Sequence, residues 1–266
     1  MKIGFIGTGN MGGALARAAA KGGHTLLLAN RTPAKAEALA KELGGTVCPN
    51  AEAAETAELL FLGVKPQGLP GLAGELAPVL QARKGNAPVV VSMATAVTLR
   101  ELDAMLGGGL PLIRIMPNTP AAVGAGTILY AAQNVTDAQL NAFRAVLAQA
   151  GLLLHLPEAQ IDAASAISGC GPAFCFQFAD ALALGGVRAG LSYPDACRLA
   201  AQTMLGAAEM LLQGGEAPDV LKMRVCSPAG TTIEGVLALE QGGFSYTVQN
   251  AVTAAYRRTV EMTRKG

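Results

Sequence analysis

Residues 1 to 31 constrain the fold more than any other stretch. Lys2–Ile3–Gly4–Phe5–Ile6 is a short apolar run of strand type, and it stops at Gly7–Thr8–Gly9–Asn10–Met11–Gly12, a G-x-G-x-x-G. An Ala-rich helical pattern follows, then a second strand-like run, Thr25–Leu26–Leu27–Leu28–Ala29. Taken alone the glycine pattern carries little weight. Strand, glycine turn, helix and strand in this order and this close together describe a βαβ unit built around a dinucleotide. The first glycine permits the tight turn, the second lets the backbone approach a pyrophosphate, and the third packs helix against sheet. The helix then offers free N–H groups and the positive end of its dipole to the phosphates.

Composition removes several classes of function. Charged residues make up 15% of the 266 and nearly cancel, for a net charge of +1. That balance argues against nucleic acid or an anionic membrane as the partner. Aromatics are 4% and Trp is absent, so no base-stacking platform is expected. No run of about 18 consecutive apolar residues is present, so no membrane span is expected. The N-terminus enters a strand at once, leaving no signal peptide. The five cysteines, 48, 170, 175, 197 and 226, form no C-x-x-C pair. Reduced thiols in a cytoplasmic protein are the simplest reading. His24 and His155 are isolated in sequence, which disfavours a metal site or a histidine base.

After Ala29 comes Asn30–Arg31–Thr32, where an NAD-preferring fold places Asp or Glu for the ribose hydroxyls. The acid is missing here. Arg31 can face a 2′-phosphate, with Asn30 and Thr32 donating hydrogen bonds, so NADPH is favoured and NADH remains open. Pro33 to Leu43 reads as a helix closed by Gly44–Gly45, and Asn50 to Thr56 as another. Strand patterns recur at Leu59–Val64, Pro88–Ser92, Leu112–Met116 and Gly151–Leu156, and Thr136-x-x-Gln139 opens a capped helix. The alternation predicts a Rossmann-type, doubly wound, mainly parallel sheet. Lys65–Pro66–Gln67 and Met116–Pro117–Asn118–Thr119–Pro120 follow strands at the carboxyl edge, where such sheets present ligand contacts.

Pro157 ends the alternation, which divides the chain into a dinucleotide-binding domain (1–157) and a helical domain (158–266). Helices are expected over Ala173 to Gly190, from Ser192 and Pro194 to Gln213, near Leu221 to Val225, over Thr232 to Gln241, and over Ser245 to Arg264. The helix from Ala173 is apolar on nearly every face, with Phe174, Phe176, Phe178, Leu182, Leu184 and Val187. A layer of about 110 residues can hardly bury such elements by itself, so a second copy of the chain is expected to cover them.

Ser227–Pro228–Ala229–Gly230–Thr231–Thr232 is the second chemical stretch. Thr231-x-x-Glu234 matches a capping box and predicts a helix start. One reading is a well-capped helix. The other is an anion seat made of free N–H groups at Gly230, Thr231 and Thr232 with two hydroxyls.

Several of these segments resemble pyrroline-5-carboxylate reductases. They are Gly4–Phe5–Ile6–Gly7–Thr8–Gly9–Asn10–Met11, Val64–Lys65–Pro66–Gln67, Met116–Pro117–Asn118–Thr119–Pro120, Leu182 to Leu191 followed by Ala201–Gln202–Thr203, and Ser227 to Ile233. The resemblance runs from residue 4 to about 240, and its last segment is the most diagnostic. It implies NADPH- or NADH-dependent reduction of 1-pyrroline-5-carboxylate to L-proline, in helix-interleaved dimers that can stack into rings. It implies that Gly230, Thr231 and Thr232 seat the substrate carboxylate and that the Thr232 hydroxyl, the catalytic group, reaches the ring nitrogen. It also implies that Gly7, Thr8, Gly9, Asn10 and Met11 hold pyrophosphate. Asn30, Arg31 and Asn50 would lie at the adenosine end, and Val64, Lys65, Pro66 and Asn118 at the nicotinamide end, with no metal. The chain departs from the family at Cys170, Phe174, Thr95–Ala96, Met223 and Ala229. The first two put in doubt any hydroxyl role at 170 and 174.

This chemistry suits a chain poor in acid–base groups. A protonated cyclic imine is already electrophilic, so the protein mainly has to hold the reactants in register. Two other readings stay open. One is another small-acid reductase of β-hydroxyacid dehydrogenase type, which would need a catalytic lysine, and Lys222 is the only one in the helical half before Lys265. The other is a non-enzymatic nucleotide sensor.

Overall fold

The computed structural model describes residues 1–263. Arg264, with which the last predicted helix ends, and Lys265 lie outside them. The first half alternates strongly: β1 (Lys2–Ile6), α1 (Asn10–Ala20), β2 (Thr25–Ala29), α2 (Pro33–Leu43), β3 (Thr46–Val47), α3 (Asn50–Thr56), β4 (Leu59–Leu62), α4 (Leu69–Ala82), β5 (Val89–Ser92), α5 (Leu99–Met105), β6 (Leu112–Met116), β7 (Gly126–Gln133), α6 (Asp137–Leu147) and β8 (Gly151–His155). Six helices follow: α7 (Glu158–Ser168), α8 (Gly171–Arg188), α9 (Tyr193–Gly214), α10 (Pro218–Val225), α11 (Thr231–Gln241) and α12 (Phe244–Thr263).

The strands form one sheet in the order β3-β2-β1-β4-β5-β6-β7-β8. The first six positions are the doubly wound order, with a topological switch between β1 and β4. Every pair is parallel except β6 with β7. The pleat sends alternate side chains to two cores. Leu60, Leu62, Val90, Leu112 and Leu129 serve one face. Phe5, Phe61, Val91, Ile113, Ile128 and Tyr130 serve the other. Phe5 and Phe61 stack across β1 and β4 with centroids 4.6 Å apart, a pair worth about 0.5–1.5 kcal/mol beyond the area it buries.

Local signals explain the ends of elements. Pro33 opens α2, and Gly44 closes it in the left-handed region at φ +71°. Thr136 and Gln139 form the expected reciprocal cap of α6. The Ser192 hydroxyl accepts from the Asp195 amide and caps α9, which Gly215 ends. α4, α5, β3 and β7 are not among the predicted elements, although Thr98-x-x-Glu101 is a capping box that opens α5. In β7, Ile128, Leu129, Tyr130 and Ala131 are all buried, so the in–out alternation that marks a half-exposed strand is erased.

The described residues divide into two compact units, Met1–Cys170 with 256–263, and Gly171–Ala255. α7 packs back on β6 and β7 in the first unit. In the second, α8 and α9 pack together and Phe178 meets Phe244 at 5.7 Å. Of this unit's side chains only Ala183, Ala196 and Ala200 are buried, while Phe176 is 70% exposed and Leu212 81%. Apolar residues do not run consecutively, yet within Glu158–Arg188 an 18-residue window reaches a mean hydropathy of 1.3, which passes for a membrane-crossing helix by length and composition only.

Candidate active site

The crevice at the β1–β4 switch is built from glycine. Gly7 leaves β1 at φ +100°, and its N–H donates to Ala29 O at 2.8 Å. A Cβ on Gly12 would lie 2.0 Å from Gly7 O, so the first turn of α1 rests directly on the loop. A Cβ on Gly9 would meet nothing within 4 Å. The middle glycine therefore borders open space, while the outer two are needed for packing. Gly9 is the N-cap of α1, with no side-chain cap and no acid in the first turn. The α1 amides at Asn10 and Met11 are thus left for a ligand. Thr8 is 7% exposed, and its buried Oγ1 has no partner. An orphaned hydroxyl, an uncapped helix and an open glycine fit a pyrophosphate.

At the β2 end, the Thr8 amide donates to Asn30 Oδ1 at 3.1 Å, and Asn30 Nδ2 donates to Thr32 O at 2.9 Å. Asn30 thus ties the glycine turn to the next loop. Arg31 is exposed and has no ion pair among the described residues. Thr32 caps α2 without a side-chain bond, and no acid stands in that helix's first turn. Asn50 is the first residue of α3 and donates to Glu75 Oε2 at 3.1 Å. Nearby, burial pushes the Cys48 thiol pKa up, with the Glu52 carboxylate adding to it.

Past β4, Gly63 and Val64 are half-buried and Lys65 is exposed, leading into a short 3-10 turn at Pro66–Gly68. Gly63 is a residue that sequence reasoning missed. Its signal was the strand–glycine junction at the switch point.

Asn118, 7% exposed, has both ends of its amide engaged. Nδ2 donates to Ser168 O at 2.8 Å, and Oδ1 accepts from the Thr127 amide at 2.8 Å. Arg114 was also missed. It is 2% exposed on β6, and its guanidinium meets Asp162 at 2.6 Å and Glu158 at 3.4 Å. An arginine in an apolar strand pattern was the available signal.

In the helical unit, Ser227 O accepts from Gly230 N at 3.0 Å, closing a turn with Pro228 at its second position. Ala229, the third, stands at φ +54°. This is the region that a type II turn requires there and that glycine adopts without cost. A Cβ on Gly230 would lie 2.2 Å from Ser227 Oγ, a contact that turning the serine side chain relieves, and 3.1 Å from Ser227 O. The predicted capping box does not form. Gly230 is the N-cap and Thr231 the first helical residue, so the Thr231 hydroxyl no longer sits where it can reach the Glu234 amide. α11 therefore begins with no side-chain cap. Thr231 and Thr232 are exposed, and Thr232 shares a groove of about 1070 Å³ with Phe174, Phe178, Val236 and Val248. Lys222 is exposed on α10.

A doubly wound sheet with an open glycine cradle, joined to helices that present a bare N-terminus, defines a dinucleotide-dependent oxidoreductase. Residues 2–96 match a family described as NADP oxidoreductase, coenzyme F420-dependent, and residues 158–262 match pyrroline-5-carboxylate reductase dimerisation. The chain is 39% identical to the pyrroline-5-carboxylate reductase of Synechocystis, over all of this chain and 99% of that one. It superposes on the Coxiella burnetii pyrroline-5-carboxylate reductase with a TM-score of 0.90 at 32% identity, covering 97% of each chain. For the Plasmodium falciparum pyrroline carboxylate reductase, solved with NADP bound, the TM-score is 0.86 at 30% identity, with 99% and 98% covered. The chain belongs to the pyrroline-5-carboxylate reductase family.

Proposed function

We infer that this chain reduces 1-pyrroline-5-carboxylate to L-proline, using NADPH in preference to NADH. The observation that carries the reading is the start of α11, which has no side-chain cap, in a chain related along its whole length to such reductases. The amides of Thr231 and Thr232 bind the substrate carboxylate, since a helix N-terminus favours an anion, while the Gly230 N–H is already given to Ser227 O and shapes the turn before them. The Thr232 hydroxyl orients the ring nitrogen. Gly7, Thr8, Gly9, Asn10 and Met11 hold the pyrophosphate of the dinucleotide. Arg31 faces the 2′-phosphate, Asn50 the adenosine, and Val64, Lys65 and Pro66 the nicotinamide end. Bound NADPH supplies a hydride to the C=N carbon, and the electron pair of the double bond comes to rest on the protonated nitrogen. The chain's own task is positioning. It needs no nucleophile and no metal. A nucleotide sensor would have no use for the seat at α11.

The helical unit works as a homodimer, in which the partner covers the apolar groove and the exposed faces of α8 and α9. Dimers of this kind can build rings. The apolar stretch Glu158–Arg188 serves that association and not a membrane. Its first part is anchored by Glu158 and Asp162 to an arginine buried beside the sheet. Neither nucleic acid nor lipid is a partner in this reading, and the enzyme is cytoplasmic. The test is direct. Purified protein given NADPH should lose absorbance at the nicotinamide band when 1-pyrroline-5-carboxylate is added, with proline formed in equal amount. No substrate-dependent loss with either nucleotide would overturn the assignment.

A further inference from the structure

Arg114 and Asn118 lie four residues apart along one chain, Arg114 within β6 and Asn118 just past its end. Both side chains reach α7. Arg114 Nη2 donates to Asp162 Oδ1 at 2.6 Å, and Nη1 to Glu158 Oε1 at 3.4 Å. The same Glu158 oxygen accepts the Leu99 amide at 2.7 Å, so the first turns of α5 and α7 are fastened together. At the other end of α7, Asn118 Nδ2 donates to Ser168 O. Gly169 and Cys170 complete that turn, their amides both donating to Ser165 O. The helix is therefore gripped at its start by a buried guanidinium and at its end by a buried amide.

We propose that Arg114 and Asn118 form a clamp on α7, and that Asn118 is a positioning residue and not a cofactor ligand. With Oδ1 on Thr127 and one Nδ2 hydrogen on Ser168, both ends of its amide are engaged by the fold. The clamp fixes α7, which ends at Ser168, just before the chain leaves the sheet unit at Cys170. Hydride transfer tolerates little slack, since a shift of about 1 Å at a distance from the chemistry can lower rate about a hundredfold.

Asn118→Asp tests this in the full-length protein. The carboxylate still accepts from Thr127 but cannot donate to Ser168 O. Amide hydrogen exchange over residues 164–171 should quicken at least tenfold. Catalytic efficiency with 1-pyrroline-5-carboxylate should fall at least tenfold, and the NADPH dissociation constant, read by fluorescence, should change less than threefold. Asp162→Asn, a milder change at the other end, should quicken exchange over residues 158–163 and lower efficiency in the same direction. A tenfold weaker grip on NADPH with exchange unchanged would make Asn118 a cofactor ligand. Faster exchange with unaltered kinetics would reduce the clamp to ordinary packing. The kinetic arm rests on the reductase reading. If the parent protein does not turn over the substrate, that reading fails by itself, while exchange and nucleotide affinity still decide the clamp.

Discussion

Gly7 and Gly63 touch backbone to backbone where β1 and β4 end. A Cβ placed on either would lie 2.5 Å from the other's carbonyl oxygen. Gly9, two residues along, faces open space, so the three glycines should separate by experiment. Gly63→Ala must push two strand ends apart and should cost about 1–3 kcal/mol of stability, the usual range for overpacking. Gly9→Ala stands at φ −71°, where alanine is unstrained, and should cost about 1 kcal/mol or less for the poorer N-cap. Yet it should weaken NADPH binding at least tenfold, because its methyl enters the space that the phosphates need. Thermal melts beside nucleotide titrations read both. A Gly9→Ala protein that binds NADPH normally would move the pyrophosphate elsewhere.

Thr232→Ala removes one hydroxyl at the tip of α11 and leaves the amides in place. A hydrogen bond to a charged group is worth about 1.5–3 kcal/mol. Catalytic efficiency with 1-pyrroline-5-carboxylate should therefore fall about tenfold to a hundredfold, with NADPH affinity nearly unchanged. Equal losses in both would argue against contact between Thr232 and the imine.

What could be read in advance was whatever rests on local chemistry. Pro33 with Gly44, Ser192 with Gly215, and Thr136 with Gln139 mark helix ends through bonds made within a few residues, and all three stand as expected. The glycine turn was legible for the same reason. β7 was not, because burial on both faces removed its period, and its antiparallel pairing with β6 is a tertiary fact. Within the site, Asn30 and Asn118 also bond groups at separations of 22 and 50 residues. No window of sequence reports where such an amide finds its partners. The capping box at Thr231 failed more narrowly, since the helix starts at 231 and not at 232, and that shift of one residue withdraws the cap.

Arg31 offers a guanidinium with no competing carboxylate among the described residues. A charge-assisted pair with a 2′-phosphate should be worth about 1.5–3 kcal/mol. Arg31→Ala should therefore raise KM for NADPH about tenfold to a hundredfold and leave KM for NADH within twofold. Steady-state rates with both nucleotides check this. An unchanged ratio would remove Arg31 from the site.

Ala96 and Ala229 carry side chains in the left-handed region, at φ +62° and +54°. Both occupy positions where resemblance to the family leads one to expect glycine. An L-residue there costs about 1–2 kcal/mol relative to its preferred conformation. Glycine removes that cost but gives back part of it through the larger entropy of its unfolded chain, about 0.4–1 kcal/mol. Ala229→Gly and Ala96→Gly should each therefore stabilise the protein, by up to about 1 kcal/mol, and Val at either position should destabilise it, because a β-branched side chain fits that region worst. The two sites should differ in function. Ala229 precedes the N-cap of α11, so freeing its backbone should loosen the amides that seat the carboxylate. Ala229→Gly should raise KM for 1-pyrroline-5-carboxylate two- to fivefold while Tm rises. Ala96→Gly, at a turn before α5, should raise Tm and leave that KM alone. Matching melts and substrate titrations on the two variants decide it: a lower Tm for both would mean that neither alanine is strained.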